Sequence, residues 1–254
     1  MGRETHAMKQ TQKYLVEQQR IAKIAFQLFA ETGYAKTPLS VIGKEAGVQK
    51  SLLQYYFPKK SKFIELFIET SFNLVIDEVI ESIRAREAAE QPDDDLVAVD
   101  PFDDDDDDEF TGVEIIELLY DIAYFEFWYI TSCPSTQALR MDVMENYTNC
   151  QLVVQCVCDW IFAHMSDLDD DLRERIYDTV TFCIGGGFEY ACMKLERNEP
   201  VDVGYIVGNA MDFVVNALGF DPSFFKIRKE VSPEWLARTA EAVDEKTFGH
   251  TDAA

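Results

Sequence analysis

Helical spacing dominates the pattern of apolar and polar positions along the chain, and runs that alternate like a strand are nearly absent. In the first predicted helix, apolar residues recur at steps of three and four and form one stripe. Gly33 follows this stripe, and a glycine there suits the left-handed conformation that ends many helices. The stripe consists of Leu15, Ile21, Ile24, Ala25, Leu28 and Phe29.

Three further helices are predicted before residue 90. Thr37 followed by Pro38 is typical of a helix start, with threonine as the N-cap and proline at the first helical position. Gly47 indicates a tight turn, and Phe57 before Pro58 indicates a break, because a residue that precedes proline avoids the helical conformation. The predicted helices are 38–46, 49–55 and 59–86.

Residues 87–109 form the clearest boundary, with 13 acidic residues, two prolines and no lysine or arginine. A segment of this composition buries too little apolar surface to offset the entropy of ordering, so we predict a disordered loop over about 87–110. The alternatives are a calcium site and a segment that mimics DNA. The run Asp103–Asp108 lacks the alternating ligands and the central glycine of an EF-hand loop.

After the acidic segment the helical pattern returns and continues almost to the end of the chain. A break in the second of these helices is expected near Met144–Tyr147. No internal repeat is visible. The predicted helices are 113–132, 135–165, 169–198 and 203–218, with a weaker one near 233–244.

The formal net charge of −24 argues at first against a nucleic-acid partner, because phosphate repels acidic proteins. The charge is segregated, however. Residues 1–62 hold 11 basic and four acidic side chains, a net charge of +7, whereas the remainder holds 12 basic and 43 acidic side chains, a net charge of −31. This distribution favours a basic N-terminal part that meets phosphate and an acidic body that avoids it.

Composition also argues against a membrane or secreted protein. No run approaches the roughly 20 apolar residues of a membrane span, and the polar N-terminus lacks the apolar core of a signal peptide. We therefore expect a cytoplasmic protein with no membrane partner. No two cysteines have C-x-x-C spacing, so we interpret them as buried thiols and predict no metal site and no cofactor. The cysteines are Cys133, Cys150, Cys156, Cys158, Cys183 and Cys192.

Two short helices around a glycine turn, preceded by a helix with an apolar stripe, match the geometry of a helix-turn-helix. Leu39 and Ile42 would pack inward. Ala46 would let the two helices approach closely, and Gly47 would permit the turn. The second short helix would place its N-terminal and solvent-facing side chains in a major groove, which is wide enough to hold one helix.

One ungapped set of positions, spread over about residues 15–68, carries a more specific signal. These positions are Ile24 to Phe29, Glu31 to Tyr34, Thr37, Ile42, Glu45 to Val48, Leu53, Tyr56, Phe57 and Lys60. Their spacing resembles the N-terminal signature of the tetracycline-repressor (TetR/AcrR) family of transcriptional regulators. The resemblance implies an all-α fold, with a three-helix helix-turn-helix domain over 1–62 and a helical ligand-binding and dimerisation domain over 63–254. The helix at about 59–86 would join the two domains.

The resemblance also implies where DNA is contacted, with 49–55 as the recognition helix. Thr37 would cap the helix before it and present its hydroxyl to phosphate. Tyr56 would lie near the DNA backbone, and Lys60 would add charge at a helix N-terminus that already favours an anion. The implied DNA contacts are Thr37, Gln49, Lys50, Ser51, Leu52, Gln54, Tyr55, Tyr56 and Lys60.

This chain departs from the family pattern at Gln49, Leu52 and Gln54, and the changes at the last two remove two usual phosphate contacts. Lys50 would reach either a guanine edge or a phosphate. Gln54 would serve adenine, and a good bidentate pair is worth about 1–3 kcal/mol of discrimination. Tyr55 either faces the DNA backbone or packs inward.

Residues 118–130 are aromatic on more than one face, and a helix that is apolar all round is typical of the inside of a bundle. A single aromatic residue there is most often core. The resemblance implies, however, that the central body helices line a ligand cavity, so this segment is the first place to look for one. The candidate lining residues are Tyr120, Tyr124, Glu126, Phe127 and Trp128, with Cys156, Trp160 and Tyr177 on facing helices.

Glu126 stands out because an acid among aromatic residues must be paired, exposed or functional. The favoured interpretation is solvent exposure or pairing with Arg140. The alternative is that Glu126 faces the cavity and, with the aromatic rings, holds a cationic lipophilic ligand.

Gly185, Gly186 and Gly187 interrupt a predicted helix, where each glycine is less favourable than alanine by roughly 1 kcal/mol. No phosphate-loop residues follow them, so a dimer contact or a pocket wall is the plausible role. The resemblance implies a homodimer formed through the helices at 169–198 and 203–218. The predicted interface contacts are Phe188, Ala191, Cys192, Met211, Val214, Val215 and Leu218.

These observations together predict a DNA-binding transcriptional regulator, a repressor released from a palindromic operator when a small hydrophobic or aromatic effector binds the body. The expected partners are double-stranded DNA, the effector and a second copy of the chain. The alternatives are a ligand-independent architectural DNA-binding protein and a transcriptional activator of the same fold. No nucleophile–base pair stands out, so we do not expect an enzyme.

Overall fold

The computed structural model of the protein describes residues 2–90, 112–137, 139–165, 168–219 and 231–249. Within these ranges the chain forms ten helices and no strand, which confirms the all-α fold. No helix of the described ranges is long and apolar enough to cross a membrane. The helices are α1 (Gly2–Thr32), α2 (Leu39–Glu45), α3 (Lys50–Tyr56), α4 (Ser61–Glu90), α5 (Gly112–Ser132), α6 (Arg140–Met144), α7 (Tyr147–His164), α8 (Asp170–Glu196), α9 (Val203–Leu218) and α10 (Pro233–Phe248).

The turns between the first three helices follow the glycine pattern of the sequence. α1 ends at Thr32, and Gly33 has a φ of 86° while its N–H bonds to the Phe29 carbonyl. Gly47, with a φ of 66°, makes the turn between α2 and α3. Both glycines occupy the left-handed region that other residues rarely adopt, which ends one helix and redirects the chain into the next.

α2 and α3 pack closely at Gly43, a position that the pattern of apolar residues did not indicate. A Cβ at Gly43 would lie 3.3 Å from the Val48 carbonyl oxygen and 3.4 Å from Cδ2 of Leu53. Ala46, predicted as the point of close approach, is also buried, and so is Ile42. Small residues on α2 therefore fix the position of α3 against it.

The start of α2 differs from the expectation. Pro38 is the N-cap, and no side chain caps the helix. Thr37 is only 1% exposed, and its hydroxyl donates to the Gly33 carbonyl at 2.8 Å and lies 2.7 Å from the Thr32 hydroxyl. The prediction that Thr37 caps α2 and offers its hydroxyl to phosphate is therefore wrong, because that hydroxyl is bonded inside the α1–α2 turn.

α4 connects the N-terminal helices, which we call the head, to the remaining helices, which we call the body. It begins at Ser61 and continues to Glu90, so it extends beyond the predicted 59–86 and into the first residues of the predicted acidic loop. Phe63 at its start stacks on Phe57 of the head, with ring centroids 3.8 Å apart. The rest of the acidic loop prediction, from residue 91 to 110, lies outside the described residues.

The break expected near residues 144–147 is present. α6 ends at Met144, and α7 begins at Tyr147 after Asn146, whose side chain accepts a hydrogen bond from the Thr148 N–H at 2.9 Å. The predicted start of this region at residue 135 is wrong, because residues 134–137 form a turn and the helix begins at Arg140. An asparagine cap in mid-sequence explains the interruption.

α10 is longer than the predicted 233–244, and its extra residues reach the head. The Phe248 ring packs against Phe26 of α1 and Phe67 of α4, with centroids 6.3 and 6.2 Å away. Gln27 of α1 donates to the Phe248 carbonyl at 2.6 Å. The last turn of α10 is therefore packed against the first helix of the head.

α10 also bonds to the body. The Tyr129 hydroxyl of α5 donates to Asp244 at 2.6 Å, and Phe125 of α5 meets Trp235 edge to face at 5.8 Å. Burial, with Asp244 beside the phenol, holds the pKa of Tyr129 well above its ordinary value, so the phenol stays protonated as the donor. α10 thus bridges α5 of the body and α1 of the head.

Candidate nucleic-acid interface and internal cavity

α3 presents one apolar position to the head and leaves the others outside. Leu53 is buried, whereas the residues around it on the remaining faces are exposed. Leu52 is 41% exposed. The predicted contacts that the structure leaves exposed are Gln49, Lys50, Ser51, Leu52, Gln54 and Tyr55.

Tyr55 does not pack inward, because its side chain is 65% exposed, although it still makes ring contacts. Tyr55 lies 5.5 Å from the Tyr14 ring of α1 and 5.2 Å from the Tyr56 ring. Tyr14 and Tyr56 are 4.8 Å apart. Tyr14 did not emerge from the sequence because it lies outside the apolar stripe of α1, yet its ring packs against both tyrosines at the end of α3.

Lys60 does not extend freely toward solvent. Its ammonium donates to the Tyr34 carbonyl and lies 4.0 Å from the centre of the Tyr34 ring. Burial lowers the pKa of Lys60, and Asp142 of α6 acts in the opposite direction. The side chain predicted to bind phosphate is thus engaged at the junction of head and body.

The body encloses a cavity of about 170 Å³ between α4, α5, α7, α8 and α9. This volume is roughly ten times the space that one ordered water needs, so the cavity is far larger than a packing defect. Nearly all of its wall is aliphatic or aromatic. The aromatic part of the lining is Phe67, Phe72, Phe127, Tyr129 and Phe188.

Among the candidate pocket residues, the structure brings only Glu126 and Phe127 to this wall. Helical rotation explains the difference, because α5 presents its positions 116, 119, 122–123, 126–127 and 129–130 to the cavity. Tyr177 is exposed on the outer side of α8. The candidates that do not line the cavity are Tyr120, Tyr124, Trp128, Cys156, Trp160 and Tyr177.

Glu126 is neither exposed at its carboxyl group nor ion-paired within the described side chains. Its Oε1 is buried and has no hydrogen-bond partner. Burial raises the pKa of Glu126 to about 8, and a hydrogen bond from Ser71 of α4 opposes this rise. The expectation of an exposed carboxylate is therefore wrong, and the side chain of Arg140 lies outside the described side chains.

Gly187 lets three helices meet at the cavity. A Cβ there would lie 2.5 Å from Cζ of Phe127 on α5 and 3.0 Å from Cγ2 of Ile206 on α9. Gly185 and Gly186 have open space where a Cβ would be. Only the last glycine of the triplet is therefore needed for close packing within one chain.

The predicted dimer contacts lie mostly inside the single chain. These side chains are buried within the chain except for Leu218, which is half-buried, and Phe188 packs against Phe127 of α5. Phe188, Met211, Val214 and Leu218 also line the cavity. The prediction that these residues form the dimer interface is therefore wrong, because they are buried in the core of their own chain. The affected residues are Phe188, Ala191, Cys192, Met211, Val214, Val215 and Leu218.

A different set of aromatic residues lies on the outer side of α8 and α9, and we call it the outer aromatic face. Phe182 is 67% exposed and contacts Phe213, with ring centroids 5.0 Å apart. Tyr205 is 57% exposed and lies 5.5 Å from Tyr190. The outer aromatic face consists of Phe182, Tyr190, Tyr205 and Phe213, with the exposed Gly186 on α8 between Phe182 and Tyr190.

The head is basic, and its exposed helix α3 follows α2 after the turn at Gly47. These features define a helix-turn-helix DNA-binding protein. Residues 21–67 match the family model described as bacterial regulatory proteins, tetR family. The N-terminal domain is that of this family, and the chain is a DNA-binding transcriptional regulator. No curated protein and no solved structure matches the chain significantly. The match ends at the start of α4, so the function of the body is argued from its structure.

Proposed function

We propose that this regulator is a repressor that binds a palindromic operator as a homodimer and leaves it when a small hydrophobic molecule enters the cavity. The observation that carries the proposal is the apolar cavity of about 170 Å³, whose wall includes helix α4 of the head–body connection. A largely apolar cavity with a few polar groups is typical of a small-molecule site.

α4 supports a mechanical link between the two functions. Phe63 and Ile64 at its start lie in the core of the head, and Phe67 and Phe72, further along the same helix, line the cavity. A ligand that displaces the second pair must move or bend the helix that carries the first. Because packed helices shift as units rather than deform smoothly, the head would be repositioned.

α10 supplies a second link. Tyr129 of α5 lines the cavity and donates a hydrogen bond to Asp244 of α10. The last residue of α10, Phe248, packs against Phe26 and accepts a hydrogen bond from Gln27, both on α1. A ligand that rotates the Tyr129 ring would pull on α10 and thereby on the head. If DNA and the small molecule each favour a different conformation, each would lower the affinity for the other by the same factor.

The outer aromatic face supports dimerisation. Two recognition helices read a palindrome only when they are held about 34 Å apart, which requires a second copy of the chain. Exposed phenylalanine side chains that form a patch are typical of an interaction site, and Gly186, one turn after Phe182 on α8, leaves open space that would allow a facing helix to approach closely. The face therefore suits a second copy in which α8 and α9 meet their counterparts.

Operator release is tested with the full-length protein. An operator is first isolated by binding-site selection on random DNA, and hydrophobic compounds are ranked by displacement of the neutral dye N-phenyl-1-naphthylamine. Operator affinity is then measured with and without the best compound. We expect at least a tenfold loss of affinity on ligand binding, which corresponds to a coupling of about 1.4 kcal/mol; equal affinities would contradict the proposal.

The two alternative functions predict different results in that experiment and in a reporter assay. An architectural DNA-binding protein would show no preferred site and no response to the compound. An activator would select a site and respond, but removal of its gene would lower expression from a promoter that carries the operator. A repressor requires expression to rise on removal of the gene.

A further inference from the structure

The carboxyl group of Glu126 is the feature of the cavity that apolar ligand binding leaves unused. Glu126 is the one formally charged residue among the described lining residues, and its Oε1 is buried without a hydrogen-bond partner. A buried polar atom normally has a partner, so an unpartnered oxygen beside a cavity points to a group that the cavity receives. The residue as a whole is half-buried, and it lines that space.

Other titratable groups around Glu126 do not supply a positive charge. Cys156 of α7 is near enough to interact with Glu126 electrostatically, and α8 contributes the Cys183 thiol to the wall. Burial raises the pKa of both thiols to about 11, so both are neutral. From α4 the wall carries the Ser71 hydroxyl, from α5 the neutral Tyr129 phenol, and from α9 only apolar side chains.

Aromatic rings complete the surroundings. Phe67, Phe127 and Phe188 line the same cavity as Glu126, and Phe127 and Phe188 meet edge to face at 5.4 Å. The faces of aromatic rings attract cations, most strongly where water is excluded. A carboxylate and several phenylalanine rings around one apolar space therefore suit a cation that also carries hydrocarbon groups.

We infer that the cavity binds a lipophilic monocation, a protonated amine or a quaternary ammonium ion, with its charged group against the Glu126 carboxylate and its hydrocarbon part against the apolar wall. This inference rests on the proposed function only in taking the cavity as the effector site. Glu126 would then select the effector by charge, while the rest of the wall selects it by size and hydrophobicity.

Proton release follows from the position of Glu126. With the pKa of Glu126 raised to about 8 by burial, the empty cavity holds the neutral acid at neutral pH. A permanent cation stabilises the carboxylate, so its binding transfers the carboxyl proton to the solvent. The affinity for such a cation should therefore fall about tenfold for each pH unit below 8 and level off above it.

The test uses 4-phenylbutyltrimethylammonium and its uncharged analogue, in which a tert-butyl group replaces the trimethylammonium group. Binding to the full-length protein is measured by calorimetry at pH 6, 7 and 9, without DNA. The variant Glu126→Gln keeps the shape of the side chain and removes its charge. The matched control is Glu117→Gln, which changes an exposed glutamate of the same helix.

We expect the cation to bind wild type at pH 9 at least tenfold more tightly than its analogue, and Glu126→Gln to lose this preference and its pH dependence. Glu117→Gln should behave as wild type. Equal binding of the cation to wild type and Glu126→Gln overturns the inference, as does absence of cation binding at pH 9. Binding of the uncharged analogue that releases operator while Glu126 has no effect would overturn the cation site and leave the proposed function intact.

The reverse result is also distinguishable. Cation binding that depends on Glu126 but leaves operator affinity unchanged would support the site and contradict ligand-driven release. Calorimetry without DNA and operator affinity with the same probe therefore report on the two proposals separately.

Discussion

At Glu126, one carboxyl group sets how the stability of the body depends on pH. Its folded-state pKa of about 8 lies above its value of 4.5 in a solvated chain, because burial penalises the charged form. Between those values the folded state holds the extra proton, so stability is fully present below about pH 4.5 and falls as pH rises toward 8. Each pKa unit corresponds to about 1.4 kcal/mol.

The variant Glu126→Gln should therefore remove a pH-dependent penalty. Between pH 5.5 and pH 8.5, we expect the free energy of unfolding of wild type to fall by about 2–4 kcal/mol more than that of Glu126→Gln. The reason is that the glutamine never ionises. Urea titrations at both pH values measure this. Parallel pH profiles for wild type, Glu126→Gln and the exposed control Glu117→Gln would show that Glu126 ionises freely in the folded state.

Gly187 gives a second prediction at the scale of one residue. An alanine there would place its Cβ against the Phe127 ring and Ile206, so Gly187→Ala should destabilise the protein by about 1–3 kcal/mol through overpacking. Gly185→Ala is the control, because its Cβ would meet open space and alanine favours a helix. Thermal unfolding of both variants checks the contrast, and two equal shifts would contradict it.

At the scale of elements, α3 buries Leu53 against the head and leaves most of its other side chains exposed. Lys50 is exposed at its first turn, whereas Lys60 is bonded to the Tyr34 carbonyl. The sequence made both lysines DNA contacts of one kind. The structure separates them, since only Lys50 is free to reach phosphate or a base.

We expect Lys50→Ala to weaken operator binding and to lower the salt slope by about one, because one phosphate or base contact is lost. Lys60→Ala should instead lower the stability of the head by loosening its junction with α4. Salt titrations of operator binding, together with thermal unfolding, measure the two effects. A reduced salt slope in Lys60→Ala with unchanged stability would reverse the two assignments.

α10 gives a further prediction at this scale. Phe248 is buried between α1 and α4, and replacing such a side chain with alanine costs about 3–5 kcal/mol when the site cannot collapse. Because Phe248 is the last residue of α10, the end of that helix can detach without unfolding the rest of the protein. The free energy of that detachment is the largest loss of stability that the substitution can cause. Phe248→Ala should lower the melting temperature and weaken the effect of ligand on operator affinity.

The matched control for that experiment is Glu241→Ala, an exposed position on the same helix. It should leave both quantities near the wild-type values. A Phe248→Ala protein that melts earlier but keeps full ligand response would show that α10 stabilises the head without transmitting the signal.

At the scale of the whole molecule, the proposed DNA binding rests on charge and the proposed dimer rests on the outer aromatic face. The basic head and the acidic body make the molecule strongly asymmetric, so DNA meets one end only. The exposed phenylalanine pair of α8 and α9 lies on the body, away from the residues of α3. A dimer formed there leaves both heads free.

Phe182→Lys should therefore convert the dimer to a monomer, because a buried lysine without a partner is strongly unfavourable at an interface. Light scattering at micromolar concentration should give twice the chain mass of 29.1 kDa for wild type and that mass once for the variant. Tyr147→Lys, at an exposed position of α7, is the control. A wild-type mass of one chain would contradict the dimer.

The sequence by itself determined the helices, the head and its DNA role. Apolar spacing of three and four, the glycines at 33 and 47 and the segregation of charge are local signals, because they act within a few residues of one another. For that reason the predicted helices of the head match α1 to α3 closely, and the family match over residues 21–67 confirms the class of protein.

Only the tertiary structure decided which faces meet. Periodicity marks a helix as apolar, but the direction of each face depends on how neighbouring helices are rotated, and that rotation is fixed by contacts far apart in sequence. Tyr120 and Trp128, predicted to line the pocket, therefore do not line the cavity. Phe188 and Val214, predicted at the dimer interface, are buried within the chain instead. Glu126 shows the same limit, since its pKa is raised by burial in the packed body, which its neighbours in the sequence did not indicate.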